Sequence, residues 1–169
     1  MREFKKQESD QKEKVVQIRR ICKVVKGGKK LGFRAVVVVG DGKGLVGVGV
    51  GKANEVSSAI RKSVEDAKKH QITVPMIGKT IPHETDGRSG ASKVILRPAP
   101  TGTGVIAGGA VRTVLELAGI ADIVAKSIGA SNSINSARAT IEGLRSLKTL
   151  EGESELRGKK LEVRYVQTA

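Results

Sequence analysis

Between Arg19 and Lys52 the chain carries nine lysines and arginines and a single acid, Asp41. Seven of them, Arg19, Arg20, Lys23, Lys26, Lys29, Lys30 and Arg34, lie on or beside a glycine turn at Gly27-Gly28; Lys43 and Lys52 complete the set. Cations at this density do one kind of chemistry well. They bind phosphate through charge-assisted hydrogen bonds and release of counterions. A surface built only for solubility mixes both signs.

Other chemistries fare worse. A phosphate-binding loop of the Walker type needs four residues between its first glycine and the Gly-Lys pair, whereas only three separate Gly47 from Gly51. Gly42-Lys43-Gly44-Leu45-Val46-Gly47 fits a dinucleotide fingerprint in letters, but a strand follows it where a helix must open onto the pyrophosphate. Gly102-Thr103-Gly104-Val105-Ile106-Ala107 fits better, between a predicted strand and a predicted helix, with Asp122 downstream; that acid, however, opens its strand instead of ending it. His70 and His83 lack a nucleophile or acid arrangement. Glu84 and Asp86 beside His83 do not make a metal set, and the lone Cys22 reads as a small packed hydrophobe. No enzyme, cofactor or metal site emerges.

The whole chain of 169 residues has a formal charge of +14. Residues 1–70 hold 18 basic and 8 acidic side chains, so the excess sits in the first half. With 38% hydrophobic residues the chain can build a core, and no apolar run reaches the ~18 residues of a membrane span. The opening Met1-Arg2-Glu3-Phe4-Lys5-Lys6 lacks a secretory apolar stretch, so a reducing compartment is expected. Phe4, Phe33 and Tyr165 are the only aromatics, which disfavours stacking on single strands and leaves structured RNA or duplex as the polyanion.

The elements that must hold these cations follow from periodicity. Residues 15–25 alternate as a strand with Val16, Ile18, Cys22 and Val24 on an apolar face and Arg19 and Lys23 opposite. Residues 31–40 and 45–51 make two more strands, joined by a turn at 40–44. This gives a basic hairpin finger on a three-stranded sheet covered on one face. A helix capped by Asn54 buries Val56, Ile60, Val64 and Ala67 and exposes Arg61, Lys62, Lys68 and Lys69. The face of Gly47, Gly49 and Gly51 has two readings: close packing of that helix, or approach of an RNA backbone. A second unit begins in residues 72–84. It has a strand ending at Pro98, a glycine-rich loop, a helix burying Val111, Val114, Leu115 and Ala118 with Gly119 at its end, and a strand over 120–129. A last helix, capped by Asn132, carries Ile134, Ala137, Ile141 and Leu144. The tail from Leu147 is charged and reads as loose.

Three blocks then carry a resemblance: "KVVKGGKKLGFRAVVVVGDGKGLVGVGVGKANEV", "PTGTGVIAGGAVRTVLELAGI" and "NSINSARATIEGL". Over about residues 13–148 the chain resembles the family of the fifth protein of the small ribosomal subunit, of bacterial or plastid type. The first 12 residues and those after about Leu150 do not carry the resemblance. It implies an α+β fold of two small domains with segments outside them: a flexible segment 1–12, a double-stranded-RNA-binding-like domain 13–76, a C-terminal βαβα domain 77–148 with a left-handed crossover, and a charged tail 149–169. It implies a structural role at the back of the subunit, where head and body meet, and a contribution to translational accuracy. The implied partners are 16S-type ribosomal RNA and small-subunit proteins four and eight, with the channel through which messenger RNA enters nearby. No membrane and no small-molecule substrate are implied, and the expected place is a bacterial cytoplasm or a plastid stroma. The hairpin Cys22–Gly28 matches the family loop that reaches head RNA; Cys22 stands where a serine is common. Gly104 and Arg112 fall in the block facing protein four, and the helix from about Asn132, with Arg138, and the tail that follows it are the candidate contacts with protein eight. Two other readings remain: a free-standing duplex-RNA-binding protein, and a small-molecule kinase resembling the galactokinase–homoserine kinase superfamily.

Overall fold

A computed structural model describes residues 11–159. Strands β1 (Lys12–Val25), β2 (Gly28–Gly40) and β3 (Leu45–Ala53) precede α1 (Val56–Lys69) and β4 (Ile72–Thr73). Then come β5 (Thr85–Ser89), β6 (Ser92–Pro98), β7 (Val105–Ile106), α2 (Gly109–Ala118), β8 (Ile123–Gly129), α3 (Ser133–Arg145) and α4 (Leu150–Arg157). The first sheet runs β1-β2-β3-β4 with every pair antiparallel. The second runs β5-β6-β8-β7, antiparallel except for β7 beside β8.

Val36, Val37, Val38 and Val39 are all buried, a continuous apolar run that implies cover on both faces. Val37 and Val39 pack with Ala67, Ile60 and Val64 of α1. Val38 instead joins Val46 and Val74 in a larger cluster with Leu115 and Val111 of α2 and Leu96 of β6. The expected one-sided sheet is therefore two-sided. The second unit supplies its other cover, and the two units share one core. The turn after β2 locks them: Gly42 N–H donates to Leu117 O at 3.0 Å and Gly44 N–H to Ala118 O at 2.9 Å. Asp41 shapes that turn, its Oδ1 accepting from the N–H of Lys43 (2.7 Å) and of Leu45 (2.9 Å).

The glycine face of β3 belongs to α1. A Cβ on Gly47, Gly49 or Gly51 would run into the backbone of Ala67, Ser63 or Ala59 respectively. Small residues on both sides bring helix and sheet together, so Ala59, Ser63 and Ala67 are the fully buried positions and Ile60 and Val64 flank them half-buried. Of the expected stripe Val56, Ile60, Val64 and Ala67, only Ala67 is fully buried, because the close approach of helix and sheet admits small side chains at its centre. Glu55, not Asn54, caps α1: its carbonyl accepts the first helical bond, from Ala59 N–H at 3.0 Å, and no side chain caps the end. The caps at Asn132, which accepts from Ile134 N–H at 3.2 Å, and at Gly119, with φ 88°, agree with expectation.

Other departures have plain causes. β4 and β7 have two residues each, too few to show a period, and β5 (Thr-Asp-Gly-Arg-Ser) has no apolar residue at all. Residues 150–157, expected to be loose, form α4, its first turn capped by Thr149 Oγ1 accepting from Gly152 N–H at 3.3 Å. Residues 1–12 and 149–169, read as flexible segment and charged tail, lie partly outside the described residues.

Candidate nucleic-acid interface

β3 pairs with β2 only from Phe33 to Gly40. Beyond Phe33 the β1–β2 hairpin continues alone to the two-residue turn Lys26-Gly27, flanked by the pair Val25 and Gly28. Gly28 takes φ 147°, which side chains rarely adopt, and nothing stands within 4 Å of where its Cβ would be. The tip is thus shaped by backbone need, in open space.

Register assigns every cation to a face, since residues directly opposite in an antiparallel pair share one. Arg19 faces Arg34, and Arg34 in turn faces Lys52, a row of three across three strands. Nearer the tip Lys23 faces Lys30. These five share a face with Val36 and Val38, the side away from α1. The other face has Arg20 opposite Phe33, Cys22 opposite Leu31, and Val24 opposite Lys29. Opposed like charges are destabilising in a sheet unless an anion lies across them. No ion pair links any of these seven cations to an acid among the described residues.

The hairpin's second face corrects one expectation. Cys22 is exposed, and Val24 on the same face is 70% exposed. A bulge between Val15 and Gln17 breaks the alternation, so Val16 packs with the larger cluster while Ile18, opposite Ala35, stays 42% exposed on the α1 side. Ile21 and Gly32, passed over in the sequence, share the cationic face and lie between its two rows. Same-face parity along β1 was the signal that would have found them.

Not every candidate joins this cluster. Lys43 sits in the turn at the far end of the 13-residue β2, about 40 Å of strand from the tip. Gly104 lies in the loop before β7, and Arg112 lies in the first turn of α2. There Arg112 Nε donates to Glu116 Oε1 at 2.8 Å, and Lys14 Nζ of β1 donates to Glu116 Oε2 at 3.1 Å. The Arg112 guanidinium, and then the Lys14 ammonium, hold the Glu116 carboxyl below the usual carboxylate range. Arg138 lines a separate groove of about 390 Å³ between α1 and α3, with Asp66, His70, Ile141 and Glu142.

The glycine loop 102–104 cannot cradle a phosphate through its amides. Gly102 N–H and Gly104 N–H both donate to Asp122 Oδ1, at 3.0 and 2.9 Å, and Asp122 is buried. The dinucleotide and kinase readings, which need those donors and that acid free, fall here. His83 is equally structural: Nε2 accepts from Lys148 N–H at 3.0 Å, which leaves Nδ1–H to donate to Glu84 O at 2.8 Å. Among the described residues no group of three metal-ligating side chains occurs.

Residues 11–75 match the family described as "Ribosomal protein S5, N-terminal domain", and residues 87–157 match "Ribosomal protein S5, C-terminal domain". The chain is 55% identical over 163 residues to the "Small ribosomal subunit protein uS5" of Trichormus variabilis, covering 96% of this chain and 94% of that one. It is 59% identical over 151 residues to the protein of that name from Thermosynechococcus vestitus, covering 89% and 87%. Similarity thus reaches past Leu150, beyond the span read from the three blocks.

Proposed function

Because the chain belongs to the ribosomal protein S5 family, we propose that its β1–β2 hairpin binds 16S-type ribosomal RNA and helps to hold head and body of the small subunit in a defined relation. Membership makes the chain a structural constituent of the small ribosomal subunit, not an enzyme, with ribosomal RNA and ribosomal proteins as its partners. The observation that carries the finer reading is the opposed cations Arg19/Arg34/Lys52 and Lys23/Lys30, on a ribbon with no acid between residues 18 and 34. Lys26 and Lys29 extend the positive charge to the tip and the second face.

On this reading the rigid sheet fixes where the hairpin enters the RNA, and the cations neutralise phosphate there. The loop at Gly104 and the α2 start at Arg112 face protein four, and Arg138 on α3 faces protein eight. The protein works in ribosomes of a bacterial cytoplasm or plastid stroma, near the messenger channel, and its placement contributes to accuracy.

The test is co-sedimentation of the full chain with small subunits on sucrose gradients at moderate and high salt. Comigration that survives moderate salt is expected. Replacing Lys26, Lys29 and Lys30 by alanine should release the protein at lower salt and flatten the log–log salt dependence by about two to three units. An unchanged slope would sink the assignment of RNA contacts to this hairpin.

A further inference from the structure

The two faces of the hairpin are not equivalent, and their difference selects a seat for the RNA strand. On the cationic face the row Arg19-Arg34-Lys52 and the pair Lys23-Lys30 are four residues apart along the strands, about 13 Å. Between them lie only Ile21 and the side-chain-free Gly32, so the face dips there. At the end of β3 a groove of about 300 Å³ opens beside the dip, bordered by Lys23, Lys30 and Lys52, with Ile21 and Gly32 on its floor and Cys22, Leu31, Ala53 and Asn54 completing its lining. A Cβ on Gly32 would meet Ala53 O at 3.1 Å, so glycine keeps this floor low. In the row across the strands Arg34 Nε is buried with no hydrogen-bond partner among the described residues. On the second face Cys22, Val24 and Leu31 stand among Arg20 and Lys29 instead of two opposed cation rows.

We infer that one strand of RNA backbone crosses the ribbon in this trough, its phosphates held by Lys23 and Lys30 on one side and Arg19, Arg34 and Lys52 on the other. This rests on the reading above that the hairpin binds ribosomal RNA. No carboxylate faces the trough from β1, β2 or β3, so the anion that relieves the opposed cations comes from the partner. Lys23, Lys30 and Lys52, from three different strands, converge on this groove, which suits the phosphate oxygens of a backbone passing across it.

Two charge-matched variants separate the faces. Lys23→Ala with Lys30→Ala strips the trough, and Arg20→Ala with Lys29→Ala strips the same number of cations from the second face. Each full-length variant is bound, over a series of salt concentrations, to small subunits reconstituted without their own copy of this protein. All four side chains are exposed or unpaired, and equal melting temperatures confirm that both variants fold. The trough variant should bind roughly tenfold more weakly at physiological salt, with the slope reduced by about one to two units. The second-face variant should lose less than about threefold, with the slope nearly unchanged. Equal losses from both would leave RNA binding by the hairpin standing and overturn the face assignment. Weaker binding of the trough variant with an unaltered slope would overturn the phosphate seat. No loss from either, with the parent still bound, would overturn both the seat and the hairpin reading.

Discussion

Residues 35–40 and residues 18–34 belong to the same hairpin, yet their side chains meet opposite surroundings. In the inner half Ala35, Val36, Val37, Val38 and Val39 are at most 1% exposed, between α1 and the second unit. In the outer half Ile18, Val24 and Leu31 stay 42%, 70% and 49% exposed, and like charges stand opposite one another. Burial of the inner half drives folding of the sheet at about 25 cal/mol per Å² of apolar surface. The outer half adds little to that and carries electrostatic strain instead. One continuous ladder of backbone hydrogen bonds thus transmits the rigidity of the base to a tip that could not hold its shape alone.

Glycines beside the inner half and within the outer half, Gly49 of β3 opposite Val37 and Gly27 at the tip, give the largest effects. Gly49→Ala puts a Cβ against the backbone of Ser63 and Ala67, so α1 must move away. We expect a loss of about 3 kcal/mol or more in urea unfolding. Gly27→Ala at the tip meets nothing within 4 Å at an ordinary φ and should change stability by less than about 1 kcal/mol, in the stabilising direction. Equal losses would mean that the two halves are not energetically distinct.

Asp122→Ala comes next. Its buried carboxylate satisfies two backbone donors of the 102–104 loop, and removing it orphans both. The expected cost is about 2 kcal/mol, with faster amide exchange at Gly102 and Gly104. Where the outer hairpin leaves its charges for a partner, this loop consumes its own; unchanged exchange at those two amides would erase that distinction.

What was legible in the sequence divides along the same line. The cation cluster needed only counting, and β-branched runs at 31–40 and 45–51 marked their strands. Asn132 and Gly119 were legible because caps are local chemistry. The shared core was not, because Val36–Val39 reads the same whether its second face meets solvent or a distant helix; only α2, some 75 residues later, decides it. Register was equally hidden, since the opposition of Arg34 to both Arg19 and Lys52 depends on where β1 and β3 pair. The exposure of Cys22 was missed for the converse reason. An alternating strand implies a covered face, and here the covering helix α1 stops short of the hairpin's outer half.

Lys30→Glu tests the strain directly. It sets an acid opposite Lys23, turning repulsion into attraction, and should raise the stability of the free protein by about 0.2–1 kcal/mol. The same change should weaken association with small subunits. A variant less stable than the parent would show that the opposed lysines are not strained before RNA arrives.

The smallest effect concerns the inner end, where the hairpin meets the second unit. There Glu116 accepts from Arg112 and from Lys14 of β1, the arrangement the outer end lacks. Its carboxyl lies below the ordinary range because the hydrogen bond from Arg112, then that from Lys14, favours the ionised form. A depressed folded-state value means that the contribution is present above the unfolded value, about 4.3, and is lost as pH falls through the folded one. With 35% of the Glu116 side chain open to solvent, screening keeps it to a few tenths of a kcal/mol. Glu116→Gln should therefore lie slightly below the parent in urea midpoint at pH 7, and the two should converge as pH falls through the folded-state value. A gap that persists at low pH would mean that Glu116 acts by shape and not by charge. The contrast between an acid-braced base and an acid-free tip would then lose its electrostatic basis.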